Sequence, residues 1–337
     1  MQLNRTTAFA AITSTVIGLA AAAEPASAQQ TALRIGTSSV GSVFYAVAVG
    51  ITRLLQEHEK ISATVEPVGG SVANVFALGA DKIEIAITNS TAAVDGYTGG
   101  GRFKGKKVNL GLIAVGAPSL RQFVVRVGSG IEKPEDLKGK TMVGKRPALP
   151  ELEQLTMALF KVYNIPPSSV KVVATTETNQ VVEALKAGTI DAAMMPGSAG
   201  AAYLKQLTRD KKITFLDLTD DKANAMLPLV HKAIVMTKLP ANSYDGQTKA
   251  VNVFDTSTYL VADGRVSEEN VYRVMRAIYD HFDEFRTFHS SVKDWVLARS
   301  LADPKVPFHP GAVKYLKEKG KWTAELQRKQ DALLASK

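Results

Sequence analysis

Residues 33–57, LRIGTSSVGSVFYAVAVGITRLLQE, read as a strand, a small-residue turn and a helix. Leu33-Arg34-Ile35-Gly36 makes the strand, and Val47, Ile51, Leu54 and Leu55 mark one face of a helix over Val43 to Glu57. A strand follows at Ile61 to Glu66, then a helix at Ser71 to Leu78 with Ser71 as its N-cap, then a strand at Ile83 to Ile87. The same order returns downstream. Thr141 to Val143 is a strand, and Leu152, Leu155, Leu159 and Val162 space out a helix face behind Pro150 that Pro166-Pro167 ends. Val170 to Ala174 is a strand, Thr178 to Ala187 a helix closed by Gly188, and Ile190 to Met194 a buried strand. Pro150 lies 107 residues after Val43, and Ile190 lies 107 after Ile83. The repeat predicts an α/β fold with two similar lobes, each wound by right-handed parallel crossovers.

Beyond Thr208 the pattern changes. Ile213 to Leu216, Ile234 to Met236 and Tyr259 to Val261 read as strands, and Asp217 to Asp221 as an acidic turn. Ser267 caps a long helix running to about Phe288, and a further helix covers Ala312 to Lys319. Passages between the lobes are expected at Gln122 to Val127 and Thr256 to Ala262.

Composition agrees with two globular lobes: 337 residues, 45% hydrophobic and 22% charged. The formal charge is +9, with basic residues spread along the chain. Arg102 to Lys107, the densest group, is short and broken by Gly105, so it reads as a solvated loop and no nucleic-acid partner is expected. The absence of cysteine excludes disulfides, thiolate metal sites and a thiol nucleophile. At the N-terminus Arg5 precedes the apolar run Ala8 to Ala23, and Ala26-Ser27-Ala28 offers a cleavage site. That run is 16 residues, short of the ~20 that span a bilayer, so residues 1–28 read as a signal peptide cleaved after Ala28, with export to the periplasm.

Open parallel sheets take ligands beyond the carboxyl ends of their strands. Those ends carry Thr37-Ser38-Ser39, Gly69-Gly70-Ser71 and Thr88-Asn89-Ser90 in the first lobe. In the second they carry Lys145-Arg146, Thr175-Thr176 and Pro196-Gly197-Ser198. Small hydroxyl residues and glycines before helices expose N–H groups that suit a carboxylate or phosphate. The same residues also serve as caps and turns, so one ligand site is expected only because all six clusters would face one cleft. Arg121 is a further candidate anion contact.

These residues resemble the TRAP-associated extracytoplasmic immunogenic (TAXI) family of solute-binding subunits. That family's I-G-T-G-x-x-G-G-x-Y-Y-P motif stands as Ile35 to Ala46, with Tyr45 at one tyrosine position. Its G-G-S-x-x-N motif stands as Gly69 to Asn74, its D-L-K-G-K as Asp136 to Lys140, its Y-x-G-Q turn as Tyr244 to Gln247, and its H-P-G-A box as His309 to Ala312. The resemblance implies a two-lobed, type II-like periplasmic-binding-protein fold with a hinge. It also implies capture of a small organic anion, an amino acid such as glutamate or a related carboxylate, for the membrane subunits of an ion-coupled TRAP transporter. No enzyme chemistry, cofactor or metal is expected. The implied ligand contacts are Thr37, Ser38, Ser39, Tyr45, Gly70, Ser71, Asn74, Asn89 and Ser90, with Asn74 either facing the ligand or pinning its loop. Arg121, Lys145, Arg146, Thr175, Pro196 and Gly197 complete the expected set. The implied division is 29–125 with 256–337 as one lobe and 126–255 as the other. One loop departs from the family: G-x-x-G-S-G-T-E becomes Gly144 to Glu151, GKRPALPE. Its hydroxyl donors are gone, and Lys145 and Arg146 offer charge in their place.

Two other function classes stand beside this one. A receptor presenting its ligand to a membrane sensor would carry the same cleft. A periplasmic hydrolase lacks support: no H-E-x-x-H, nucleophile elbow or Walker loop occurs, and the five histidines have no metal-binding spacing.

Overall fold

A computed structural model describes residues 32–336; the expected signal peptide, 1–28, lies outside the described residues. The first third of the chain runs β1 (Leu33–Thr37), α1 (Val43–Glu59), β2 (Ala63–Pro67), α2 (Ser71–Gly79), β3 (Ile85–Asn89), α3 (Ser90–Thr98) and β4 (Leu110–Val115). It continues with β5 (Leu120–Arg126), β6 (Thr141–Lys145), α4 (Glu151–Val162), β7 (Lys171–Ala174), α5 (Thr178–Ala187), β8 (Ala192–Gly197) and α6 (Ala202–Arg209). Then come β9 (Ile213–Phe215), α7 (Asp220–Met226), β10 (Val235–Leu239), β11 (Val251–Asp255) and β12 (Thr258–Asp263). Helices α8 (Glu268–Tyr279), α9 (Phe282–Phe285), α10 (Leu297–Ala302), α11 (Pro310–Glu318) and α12 (Ala324–Ala335) close the chain.

The strands form two sheets, β2-β1-β3-β12-β4 and β10-β11-β5-β8-β6-β7, with β9 also paired to β5. The repeat seen in the sequence is a repeat in space. Strands β2-β1-β3 and β7-β6-β8 are matching parallel trios, and each gains an antiparallel neighbour from a distant part of the chain. Strand β12 lies against β3, and β5 lies against β8. This exchange makes the halves interdependent, because each sheet is completed by a strand that has crossed over.

Each lobe has its own core. The first sheet and the C-terminal helices share one, with Ile35, Leu54, Ile85, Leu260, Met275 and Trp295 buried in it. The second sheet is packed on both faces, and residues of one strand alternate between them. Phe123 and Val125 face one side with Met142 and Met194; Val124 faces the other with Val143 and Ala193.

Several expectations need correction. Gln122 to Val127 is not a passage between lobes: residues 122–126 lie inside β5, paired with β8. The first crossing is at Gly116–Ser119, between β4 and β5; the second, at Thr256–Ser257 between β11 and β12, is the start of the expected Thr256 to Ala262 passage, the rest of which lies inside β12. A run of β-branched and apolar residues reads as strand in either location; only the pairing partner tells them apart. Ser71 is the first helical residue rather than the N-cap, a place taken by Gly70 at φ 113, where a side chain is disfavoured. Pro150 likewise caps α4 rather than opening it. The helix from Ser267 stops at Tyr279: Asp280 closes it in helical geometry with its N–H on the Arg276 carbonyl, and His281 leaves that geometry at φ −116 and ψ 32. The end of the acidic turn, from Asp220, is helical.

Candidate ligand-binding cleft

The carboxyl ends of the two parallel trios meet. Asn89, last in β3, caps α3: its Oδ1 accepts from the Ala92 N–H at 2.9 Å and the Thr91 hydroxyl at 3.0 Å. Its Nδ2 is thereby turned outward and reaches Glu151 of the other lobe, at 3.4 Å from Oε1. Glu151 opens α4, where the helix dipole favours a carboxylate. The same Oε1 accepts from Arg121 Nε at 3.0 Å and Nη2 at 2.5 Å. Arg121 extends from β5 opposite Pro196 and is 2% exposed. Its Nη1 donates to the carbonyls of Ser119 and Leu120 and to the Ser119 hydroxyl. Arg121 is thus an anchored, internally neutralised cation. The second oxygen of Glu151, Oε2, is buried without a hydrogen-bond partner.

Arg146 follows β6 and behaves differently. Its Nη1 donates to the Thr178 hydroxyl at 2.9 Å, while its Nε is buried without a partner. Burial pushes its guanidinium below the ordinary value and nearby Arg121 adds to that, whereas Glu177, Tyr203 and Glu151 pull it back. These groups therefore share one electrostatic environment. Tyr203, on α6, donates its hydroxyl to the Pro196 carbonyl, and burial pushes its phenol up. Gly197 leaves room for that ring, since a Cβ there would meet the Tyr203 hydroxyl oxygen.

The other expected residues are distributed as follows. The Thr37 hydroxyl donates to the backbone carbonyls of Ser38 and Glu66 and is fully buried. Ser38 Oγ sits beside Gly70, and Ser39 is exposed with its carbonyl accepting from the Ser42 N–H. Tyr45 is half-buried in the first turn of α1, where its N–H is capped by Ser42. Ser71 is buried, and its carbonyl accepts from Thr88. Asn74 Nδ2 donates to the Ile87 carbonyl at 2.7 Å, pinning α2 to β3, while its Oδ1 is buried without a partner. Ser90 is committed to the interlobe passage, its hydroxyl meeting the carbonyls of Thr256 and Ala233. Lys145 pairs with Glu153 at 2.8 Å with a large part of its side chain in solvent. The Thr175 hydroxyl is used on Gln180 and the Glu177 carbonyl, closing the turn before α5.

Glu151 and Tyr203 were missed as cleft residues from the sequence. Glu151 had a signal, as the acid ending the GKRPALPE loop at a helix start. Tyr203 had none. Outside the cleft, Arg102 Nη1 donates to the Pro147 carbonyl at 2.7 Å, and His231 Nε2 lies 3.2 Å from Asp95 Oδ1. The two lobes are therefore in contact around the Asn89–Glu151 junction.

Comparison with known proteins is consistent with this geometry. A family profile described as NMT1-like matches residues 35–320. The chain belongs to the NMT1-like family. Among solved structures it is similar to PhnD1 from Prochlorococcus marinus in complex with methylphosphonate, with a TM-score of 0.55, 10% identity, and coverage of 86% of this chain and 99% of that one. It is also similar to the periplasmic aliphatic sulphonate binding protein SsuA from Escherichia coli, at a TM-score of 0.47 and 14% identity, covering 89% of each chain. At that identity the PhnD1 likeness establishes the fold, and this NMT1-like chain has the two-lobed periplasmic-binding-protein architecture.

Proposed function

We propose that this chain is an extracytoplasmic solute-binding protein. It captures a small organic anion, an amino acid such as glutamate or a related carboxylate, and delivers it to the membrane subunits of an ion-coupled TRAP transporter. The observation that carries the reading is Arg146: a guanidinium at the carboxyl end of a sheet strand with its Nε buried and unpartnered. Arg121 and Glu151 cancel each other, and although Glu177 lies near Arg146, the Nε donor of Arg146 is left unspent. A half-buried guanidinium with an unspent donor in that position favours an anionic ligand. Glu151 Oε2 is an unpartnered acceptor in the same environment, suited to a ligand donor such as an ammonium group. The fold shared with PhnD1, solved in complex with methylphosphonate, supports solute capture. The TAXI-type motifs at 35–46, 69–74 and 309–312 support the TRAP assignment.

The lobes are divided by the two crossings, so the first would hold 32–116 with 257–336 and the second the segment between. Opening about Gly116–Ser119 and Thr256–Ser257 would break the Asn89–Glu151 contact and leave Arg121–Glu151 intact, because both of its members ride on the second lobe. A ligand favours the closed form only through contacts it gains there. Titration calorimetry against a panel of amino acids, mono- and dicarboxylates and sugars tests this. Saturable heat with one carboxylate, weakened ten- to a hundredfold in Arg146→Ala, is expected. Binding of a sugar with no response to any carboxylate would overturn it.

A further inference from the structure

The far end of α1 carries a second arrangement of ligating groups. Among the described residues, His58, His281 and Glu284 are the one set of three His, Asp or Glu side chains whose ligand atoms all lie within 4.8 Å of one another. His58 stands in the last turn of α1, His281 at the start of α9, and Glu284 within α9. The imidazoles are stacked, with centroids 3.5 Å apart and planes 10° apart. His58 Nε2 and Glu284 Oε2 are 2.8 Å apart. Helix α1 begins at the cleft, directly after the loop at 38–42, and His58 lies fifteen residues further on. At ~1.5 Å per residue that is about 22 Å from the cleft end.

We propose that His58, His281 and Glu284 form a site for a divalent transition-metal ion of the zinc class, on the face of the first lobe remote from the cleft. Two imidazoles and a carboxylate are a donor set that such ions accept, with water completing the shell. The partial exposure of all three side chains leaves that water access. In a tetrahedral shell with metal–ligand bonds of ~2.0–2.2 Å, neighbouring ligand atoms are roughly 3.3 Å apart. The His58–Glu284 pair therefore needs to open by about half an ångström, and His281 to turn out of the stack, for the ion to replace the proton they share. The sequence gives no hint of the site, because its histidines come from helices at opposite ends of the first lobe's chain. The ion would tie the end of α1 to the break between α8 and α9.

Untagged protein titrated with Zn2+ by calorimetry should take up one ion per chain, and Co2+ should give the visible absorption bands of a nitrogen- and oxygen-ligated ion. His58→Gln and His281→Gln should each weaken zinc binding at least thirtyfold, and Glu284→Gln about tenfold. His289→Gln and His231→Gln should leave it unchanged. At one hundred times the dissociation constant, zinc should raise the thermal midpoint of the wild type by about 4 °C and that of His58→Gln hardly at all. Circular dichroism of the metal-free variants checks that they fold. If one of them does not, the remaining variant and the cobalt spectrum decide. No one-to-one uptake by the wild type, or uptake that survives both histidine substitutions, would overturn the proposal. Neither result bears on ligand capture in the cleft, which the carboxylate titration reads separately.

Discussion

Replacing Glu151 by alanine should destabilise this protein more than almost any other single polar change. The substitution leaves the Arg121 guanidinium, 2% exposed, without its counter-charge. It removes the acceptor of two of that guanidinium's hydrogen bonds, at 3.0 and 2.5 Å. Breaking a buried pair by deleting one member costs about 3–5 kcal/mol. With an unfolding entropy of ~2.1 cal/mol/K per residue over roughly 300 residues, that converts to a fall in thermal midpoint of about 5–8 °C. The Ser119 and Leu120 carbonyls remain to hold Nη1, which places the expected value toward the lower end. Glu151→Gln keeps an acceptor but not the charge, and should cost less. Arg121→Met with Glu151→Leu removes both charges, and should recover most of the loss, because the pair's desolvation cost goes with it. Scanning calorimetry on the wild type, Arg121→Met, Glu151→Leu and the double variant completes the cycle, with Glu151→Ala and Glu151→Gln measured beside them. A Glu151→Ala midpoint within 1 °C of the wild type would refute the reasoning, and so would a double variant as unstable as the sum of the singles.

Other consequences follow from particular residues. Arg146→Ala should leave the thermal midpoint nearly unchanged and raise the ligand dissociation constant ten- to a hundredfold in a calorimetric titration, since one of its donors is unpartnered within the protein. Gly116→Ala places a Cβ against the ring of buried Trp295 at the first interlobe passage, and should cost about 1–3 kcal/mol in urea unfolding. Burial pushes the His309 imidazole down to about 4, against an ordinary value of 6.5. The folded state then holds this proton less tightly than the unfolded chain, so its neutral-state stability is complete above pH 6.5 and declines as pH falls toward 4. The loss is at most about 3 kcal/mol, and His309→Asn, which keeps a capping side chain, should flatten that part of the stability profile.

Much of the fold was legible because the apolar spacing is regular. The matched series from Leu33 and Thr141 specify two parallel trios, and Gly188 and the Pro166-Pro167 pair marked helix ends where the structure has them. The strand exchange was not legible: residues 120–126 carry the same apolar signature in either sheet, and only non-local pairing assigns them. The break after Tyr279 was not legible either, because the apolar spacing of Ile278, Phe282 and Phe285 runs on across His281, where the backbone leaves helical geometry.

In the cleft, residue type told where donors are and not whether they are spent. Ser90, Lys145 and Thr175 look like donors in the sequence, but each is engaged within the protein. Asn89 and Arg121 meet at Glu151, the acid that ends the GKRPALPE loop, while Arg146 bonds Thr178 within electrostatic reach of it. The two histidines stacked at the end of α1 are separated by more than two hundred residues, so no spacing rule finds them.

The most direct test is to denature the purified, untagged protein and identify by mass spectrometry the small molecule it releases. Near-stoichiometric release of one carboxylate-bearing metabolite, absent from Arg146→Ala prepared in the same way, is the outcome the account predicts. Release of an uncharged sugar in that amount, from both proteins alike, would contradict it.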